Sequence, residues 1–453
     1  MHGLAHYTKV LMILLIIGLF TPLMAQGRDV VLSNSPNQLK LQNSSDYGFE
    51  LRLSVDKYLL QHIDSKAGSF DEISIEGYGY SSRIGEAQLP MTSRIVAVPL
   101  GAVVKFEILS QETRILGKKD SGITRSIFPA QPSVSKSADL SSIVFEQNAA
   151  FYARNEFNQS PNFRIEEIGM MRGLRLFQFY FEPIRYNPVT GELEIVSAAD
   201  IKVEFVNPNL AATQEMLAKT ASVEFDALYA KSIFNYDGGN RASLVRHPTK
   251  MVILCPTAYT SNIQSYVDWK TQQGFAVNVV AVGSDAMVAN TATAIKSYMQ
   301  NLWNSATTQN PAPTYLLIIG DESGTITVAT NTGATDTHVT DMTYVRLNGS
   351  DYLPEMYHGR FSVSNTTELA NIINKTITYE KTLMPDLSYL GKTVLIAGAD
   401  SGFAPTHGNG AINYATAEYF NTAHGITSNN YLYPASQTSD AVIIANANEG
   451  RGY

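Results

Sequence analysis

The chain has 453 residues, too many for one ordinary hydrophobic core, so two or three domains are expected. Its formal net charge is −8 and it has no long basic run, which argues against a nucleic-acid partner. The single cysteine, Cys255, excludes an internal disulfide, so the fold must rest on its cores or on a metal, and oxygen-rich loops suited to calcium need a close look.

In chain order, Lys9 precedes the apolar run Val10–Phe20, followed by Thr21-Pro22 and a small residue at Ala25. The run is too short to span a bilayer and polar sequence follows, so residues 1–25 read as a cleaved secretory signal with no transmembrane span. Residues 26–206 are strand-like. Glu72–Tyr80 alternates, Arg94–Leu109 reads as two short strands around Pro99-Leu100-Gly101, and Gly173–Tyr186 with Glu192–Val206 reads as a hairpin over Asn187–Gly191. Helical periodicity is scarce there, and an all-β domain is expected.

Residues 207–250 form a connector with helical spacing over Ala211–Ala230 and an exposed loop at Asn235–Asn240. Arg241 and Arg246 follow that loop, where basic residues serve as processing sites or simply as solvated charges. From Met251 the period changes. Strands are predicted at Met251–Cys255, Phe275–Val282 and Tyr315–Ile319, and helices at Ser261–Gln273 and Ala292–Trp303. A helix over Thr366–Leu383 has Asn365 as its N-cap and Glu368 three residues on. A strand at Thr393–Gly402, a helix near Ala411–Thr422 and a short helix near Asp440–Asn448 complete the series. Such βα alternation predicts a mostly parallel sheet covered on both faces, and the whole chain is therefore an α+β multidomain protein.

Asp321 and Asp400 each close an apolar strand, where a carboxylate serves either as a cap or in chemistry. Asn348, Asp351 and Glu355 share one loop and, with Asp321, form either an oxygen set suited to a hard cation or an ordinary polar surface. His247, His338, His358, His407 and His424 show no zinc-ligand spacing. Cys255 lies inside a predicted buried strand, where a thiol is ordinarily inert.

Several blocks of the second half resemble the gingipain family of secreted bacterial cysteine peptidases. They are Met251-Val-Ile-Leu-Cys-Pro, Tyr266-Val-Asp-Trp-Lys-Thr-Gln-Gln-Gly274, Leu316-Leu-Ile-Ile-Gly-Asp321, Asp351-Tyr-Leu-Pro-Glu-Met356, Gly359-Arg-Phe-Ser362, Ile372–Lys381 and Val394-Leu-Ile-Ala-Gly-Ala-Asp400. The run from Asp351 through Pro385–Tyr389 to Asp400 looks closest to the lysine-specific branch. The resemblance implies an inhibitory propeptide over the β-rich region, cleaved from the rest near Arg241 or Arg246. Residues 251–453 would be the first part of a caspase-like α/β catalytic domain. It implies that Asp400 orients a catalytic histidine, and that Asp321, Asp351, Glu355 and the Leu353 carbonyl bind a structural calcium ion, with Asn348 substituting for an aspartate found in one relative.

By the same resemblance, the catalytic His-Gly and the nucleophilic cysteine belong beyond Tyr453. His407 comes too early by a helix–strand unit, His424 matches a helix-end residue and Cys255 matches a residue of the first strand. The expected function is therefore a cysteine endopeptidase precursor, cleaving after Lys or Arg in protein or peptide substrates, exported to the medium or cell surface and inactive as this stretch alone. Two alternatives are a transpeptidase relative that attaches secreted proteins to the cell surface and an inactive binding or adhesion protein on the same scaffold.

Overall fold

The alternating apolar pattern of the first half produces antiparallel sheets. The computed structural model describes residues 27–134, 142–237, 247–333 and 338–453; the leader with its Ala25 cleavage point and both connector arginines, Arg241 and Arg246, lie outside them. Strands β1 (Arg28–Val31), β4 (Lys57–Ser65) and β5 (Gly68–Ser74) form one sheet, in the order β1-β4-β5. Strands β6 (Gly79–Tyr80), β7 (Pro90–Val98), β9 (Phe163–Met171) and β10 (Leu174–Phe181) form a second, ordered β6-β7-β10-β9. The third has the order β11-β12-β3-β2, from β2 (Gln38–Ser45), β3 (Gly48–Ser54), β11 (Ile184–Asn187) and β12 (Glu192–Val206), with β8 (Val103–Leu116) also paired to β12. Leu193, Ile195, Ile201, Val203 and Phe205 of β12 enter a core shared with Phe49, Leu51 and Leu53. Burying each such side chain stabilises by about 1.5–3 kcal/mol.

The expected hairpin arm Gly173–Tyr186 is two strands in two sheets. Glu182 breaks it, because its buried carboxylate is held by Arg83 and Arg164. Pro183 follows and has no N–H for a ladder. The Asn187–Gly191 turn forms as expected, with Gly191 N–H donating to Asn187 O at 2.9 Å. The connector's helix is also two, α1 (Leu210–Lys219) and α2 (Val223–Ser232). Ser222 caps α2 by accepting from Phe225 N–H, which makes the break local and sequence-encoded.

In the second half β13 (Lys250–Pro256), β14 (Ala276–Val282), β15 (Tyr315–Ile319) and β18 (Tyr357–Phe361) form an all-parallel sheet in the order β14-β13-β15-β18. A two-stranded ribbon, β16 (Asn331–Thr332) with β17 (Val339–Thr340), lies between β15 and β18 in sequence. Alternate residues of β13 serve two cores. Val252 and Leu254 pack with Ile295, Met299 and Trp303 of α4 (Ala292–Asn304), while Ile253 and Cys255 pack with Tyr266 of α3 (Gln264–Gln272) and with Leu369 and Ile373 of α5 (Thr366–Glu380). Burial on both faces explains the uninterrupted apolar run at Met251–Cys255. Helix α5 starts as expected, with Asn365 Oδ1 accepting from Thr367 and Glu368 N–H at 3.1 and 3.0 Å.

The strand expected at Thr393–Gly402 corrects the sequence reading. It is shorter, β19 (Lys392–Ile396), and pairs in parallel with β20 (Thr427–Tyr431) in a separate two-stranded sheet. Of its residues only Thr393 is buried. Helices α6 (Asn409–Glu418) and α7 (Asp440–Asn448) accompany this pair.

Candidate catalytic and cation-binding residues

In an open parallel sheet, ligands bind beyond the C-terminal strand ends where the strand order reverses, here between β13 and β15. Asp321 stands at that edge, immediately after β15. Gly320 before it has φ +120°, and a Cβ there would lie 2.8 Å from Ile326 O, so only glycine makes this turn without strain. Asp321 Oδ1 accepts from Glu322 N–H at 2.8 Å. Arg360 of β18 ties the edge together. Its Nη1 donates to Gly320 O and Val328 O at 2.8 and 3.0 Å, and its Nε and Nη2 form a fork on Asp341 at 2.8 and 2.7 Å. No local pattern marks Arg360 for this task, because its bond partners lie 19 to 40 residues away.

The other oxygen-rich residues lie at the opposite end of the sheet. Tyr357 pairs with Tyr315 at the start of β15, so Glu355 lies beyond the N-terminal end of the strand whose C-terminal end carries Asp321. The six residue steps from Tyr315 to Asp321 along extended chain separate the ends by roughly 20 Å. Asp321 therefore cannot share a cation with Asp351 and Glu355, and this removes Asp321 from the five-residue set expected from sequence, Asp321, Asn348, Asp351, Leu353 and Glu355. Among the described residues no group of three or more His, Cys, Asp or Glu side chains gathers to hold a metal ion.

Asn348, Asp351, Leu353 and Glu355 do share one loop. Glu355 is fully buried; its Oε2 accepts from Leu347 N–H at 2.5 Å, and its Oε1 is buried with no hydrogen-bond partner. Burial pushes this carboxyl up to about 7, helped by the neighbouring Asp351 charge. Asp351 Oδ1 accepts from Leu353 N–H at 2.8 Å, and its Oδ2 accepts from Met170 N–H at 3.0 Å. Asn348 Nδ2 lies 3.5 Å from Met170 Sδ. An orphaned buried oxygen beside a second carboxylate is a donor set that a cation or a proton would satisfy.

Asp400 follows β19 and is exposed. Its Oδ1 accepts from Gly402 and Phe403 N–H at 2.8 and 3.2 Å, a capping arrangement for the turn that follows. Among the described residues no bond to Oδ2 is formed. His407 lies one turn on, its ring 5.8 Å from that of Phe403. His424 Nδ1 is 3.1 Å from Asn421 Oδ1 at a helix end closed by Gly425 in the left-handed region. Cys255 is buried in an apolar layer that pushes its thiol up to about 12. A thiol so held is protonated at neutral pH and is no nucleophile.

The connection between the halves was not legible in the sequence. Arg172, Phe225 and Tyr229 of the first half meet Ala312–Thr314 and Glu355–Tyr357 of the second. The Phe225 and Tyr357 ring centroids are 4.6 Å apart, and Ala312 N–H donates to Lys219 O at 2.9 Å.

Fold and site together define a two-part protein, an antiparallel β-rich domain seated against the N-terminal end of an open parallel α/β sheet. The chain belongs to peptidase family C25: residues 245–453 match the family model "Peptidase family C25" and residues 29–234 match the model of its propeptide. Lys-gingipain of Porphyromonas gingivalis is 33% identical over 413 residues, 91% of this chain and 24% of that protein. Gingipain R1 of the same organism is 24% identical over 393 residues, 86% of this chain and 38% of the relative. A solved structure described as an insight into zymogenic latency of gingipain K matches 40% of this chain and 98% of its own, at 29% identity and a TM-score of 0.37. The chain spans about a quarter of the length of the Lys-gingipains it matches. No helix among the described residues is long and apolar enough to cross a membrane.

Proposed function

We propose that this chain is the N-terminal portion of an exported cysteine endopeptidase zymogen of the gingipain type, cleaving after Lys or Arg. The observation that carries the reading is the succession of the two family matches, propeptide over 29–234 and peptidase over 245–453, along one chain. In it residues 1–25 are the export signal, the β-rich half is an intramolecular inhibitor, scission falls at Arg241 or Arg246, and the α/β half is the start of a caspase-like domain. Chemistry in such a peptidase is thiolate attack on the scissile carbonyl, with a histidine moving the proton from thiol to leaving amine. Asp400 holds that histidine in the correct tautomer and stabilises the imidazolium. The two backbone N–H groups on Asp400 Oδ1 support this role, because they fix the carboxylate while Oδ2 stays available for an imidazole N–H.

The test is expression of the reading frame extended past Tyr453, assayed on peptides with Lys or Arg before the scissile bond. Asp400→Asn should lower kcat by roughly 10²–10⁴ with an unchanged melting temperature. Full activity in that variant would leave Asp400 as a cap only. A transpeptidase would instead join the peptide to an added amine.

We further propose a calcium ion on the Asn348–Glu355 loop, held by Asp351, Glu355, the Asn348 amide oxygen and the Leu353 carbonyl, without Asp321. The buried orphan oxygen of Glu355 supports it. Calcium should then raise the melting temperature of the wild type and of Asp321→Ala alike, and fail to do so in Glu355→Gln. Loss of the response in Asp321→Ala would return Asp321 to the site.

A further inference from the structure

The largest fully buried side chain among the described residues is a cation, Arg172, and it crosses from one half of the molecule to the other. Met171 pairs with Leu174, so Arg172 and Gly173 form a two-residue hairpin loop between β9 and β10. Both have positive φ, 43° and 85°. Such loops favour Asn and Gly, because a side-chain-bearing residue in the left-handed region is strained. An arginine held there implies that the surroundings hold its side chain firmly.

They do so from both sides. On its own half, Thr220 Oγ1 donates to Arg172 O at 3.0 Å and Tyr229 OH donates to Met171 O at 3.0 Å, which clamps the loop. On the other half, Nη1 donates to Pro313 O and Glu355 O at 2.6 and 2.7 Å, and Nη2 donates to Ala312 O and Thr314 Oγ1 at 3.0 and 3.2 Å. The guanidinium carbon lies 5.0 Å from the Phe225 ring centroid. The four acceptors come from the segments that lead into β15 and β18. They ring the N-terminal end of the sheet, at the far end of β15 from Asp321 and the edge where chemistry is expected.

We propose that these acceptors form a guanidinium-binding site on the α/β half, and that Arg172 seated in it is the latch that keeps the β-rich half bound once the connector has been cut. A planar fork matches four acceptors set in one crown, whereas an ammonium offers a single point of donation. Because the latch lies at the base of the sheet, how long the inhibitor stays bound is separable from how it blocks the catalytic edge. The proposal rests on the propeptide–peptidase reading of the two halves, but its test reads binding and not hydrolysis, so the two can fail independently.

The experiment uses the full chain with the recognition sequence of a foreign, sequence-specific protease inserted within residues 238–246 and an affinity tag on the β-rich half. After cutting, the release of the α/β half from the immobilised tag is followed in time. Wild type should remain associated through washing, and Arg172→Ala should release at least about tenfold faster, since truncating one partner of a buried hydrogen-bonded pair acts on the off-rate. Arg172→Lys should lie between them. Methylguanidinium should add back thermal stability to Arg172→Ala with saturation, and methylammonium should not. Equal release from wild type and both variants, or immediate separation of the wild type, overturns the latch. If Arg172→Ala does not fold, Arg172→Lys decides, and release at the wild-type rate overturns the proposal.

Discussion

Asp351 Oδ2 accepts a hydrogen bond from Met170 N–H at 3.0 Å, across 181 residues of chain. The neighbouring Gly169 has φ +135°, and a Cβ there would lie 2.5 Å from Asp351 Cγ. Gly169→Ala should therefore destabilise the chain by about 2–3 kcal/mol, from backbone strain and from displacement of the carboxylate. Asp351→Ala alone should cost about 1–2 kcal/mol through the unsatisfied N–H. Combined, the two should cost less than their sum, by about 1 kcal/mol, because truncation of Asp351 removes the clash. Denaturant titration of the four chains reads this, and strict additivity would exclude the contact as the cause.

Glu355 should make stability fall as pH rises. In the unfolded chain the carboxyl ionises near 4.5, and in the fold burial keeps its proton up to about 7. Protons are thus taken up on folding between those values, so this group's contribution is complete below about pH 4.5 and is lost as pH rises through about 7. A shift of that size corresponds to about 3 kcal/mol. Glu355→Gln, which stays neutral, should flatten the stability profile over that window when unfolding of the calcium-free chain is measured in urea from pH 4.5 to 8. An unchanged slope would assign the dependence to other groups.

Cys255 should resist thiol reagents. Its Sγ is 3.6 Å from Pro256 O within the apolar layer of β13, α3 and α5, and its thiol is pushed up to about 12 by burial. At pH 8 the native chain should remain unlabelled, and one equivalent should react after denaturation. Labelling of the folded chain at the denatured rate would place Cys255 at the surface and reopen it as a nucleophile.

Much of the fold was legible because its signals are local. The Asn365–Glu368 cap and the Asn187–Gly191 turn each involve residues within four positions of one another. The apolar run Met251–Cys255 announced a strand buried on both faces, because only such a strand has no polar face to present. The two matched family regions follow the order expected from short residue blocks, which survive as sequence wherever a strand end or turn constrains them.

What sequence alone determined was element type, the change from antiparallel β to alternating β and α, and membership of a peptidase family. Tertiary structure decided which strands share a sheet, and with that which carboxylates meet. Asp321 and Glu355 are 34 positions apart and both read as loop oxygens near strands; only the parallel pairing of β15 with β18 puts them at opposite ends of the sheet. Only the third dimension, likewise, took β19 out of that sheet and buried Arg172 among acceptors 140 to 183 residues away. The physical reason is common to all three. A cap or a period is satisfied by neighbours in the chain, whereas a sheet partner or a buried ion's acceptors come from segments tens to hundreds of residues away, whose arrival no local pattern records.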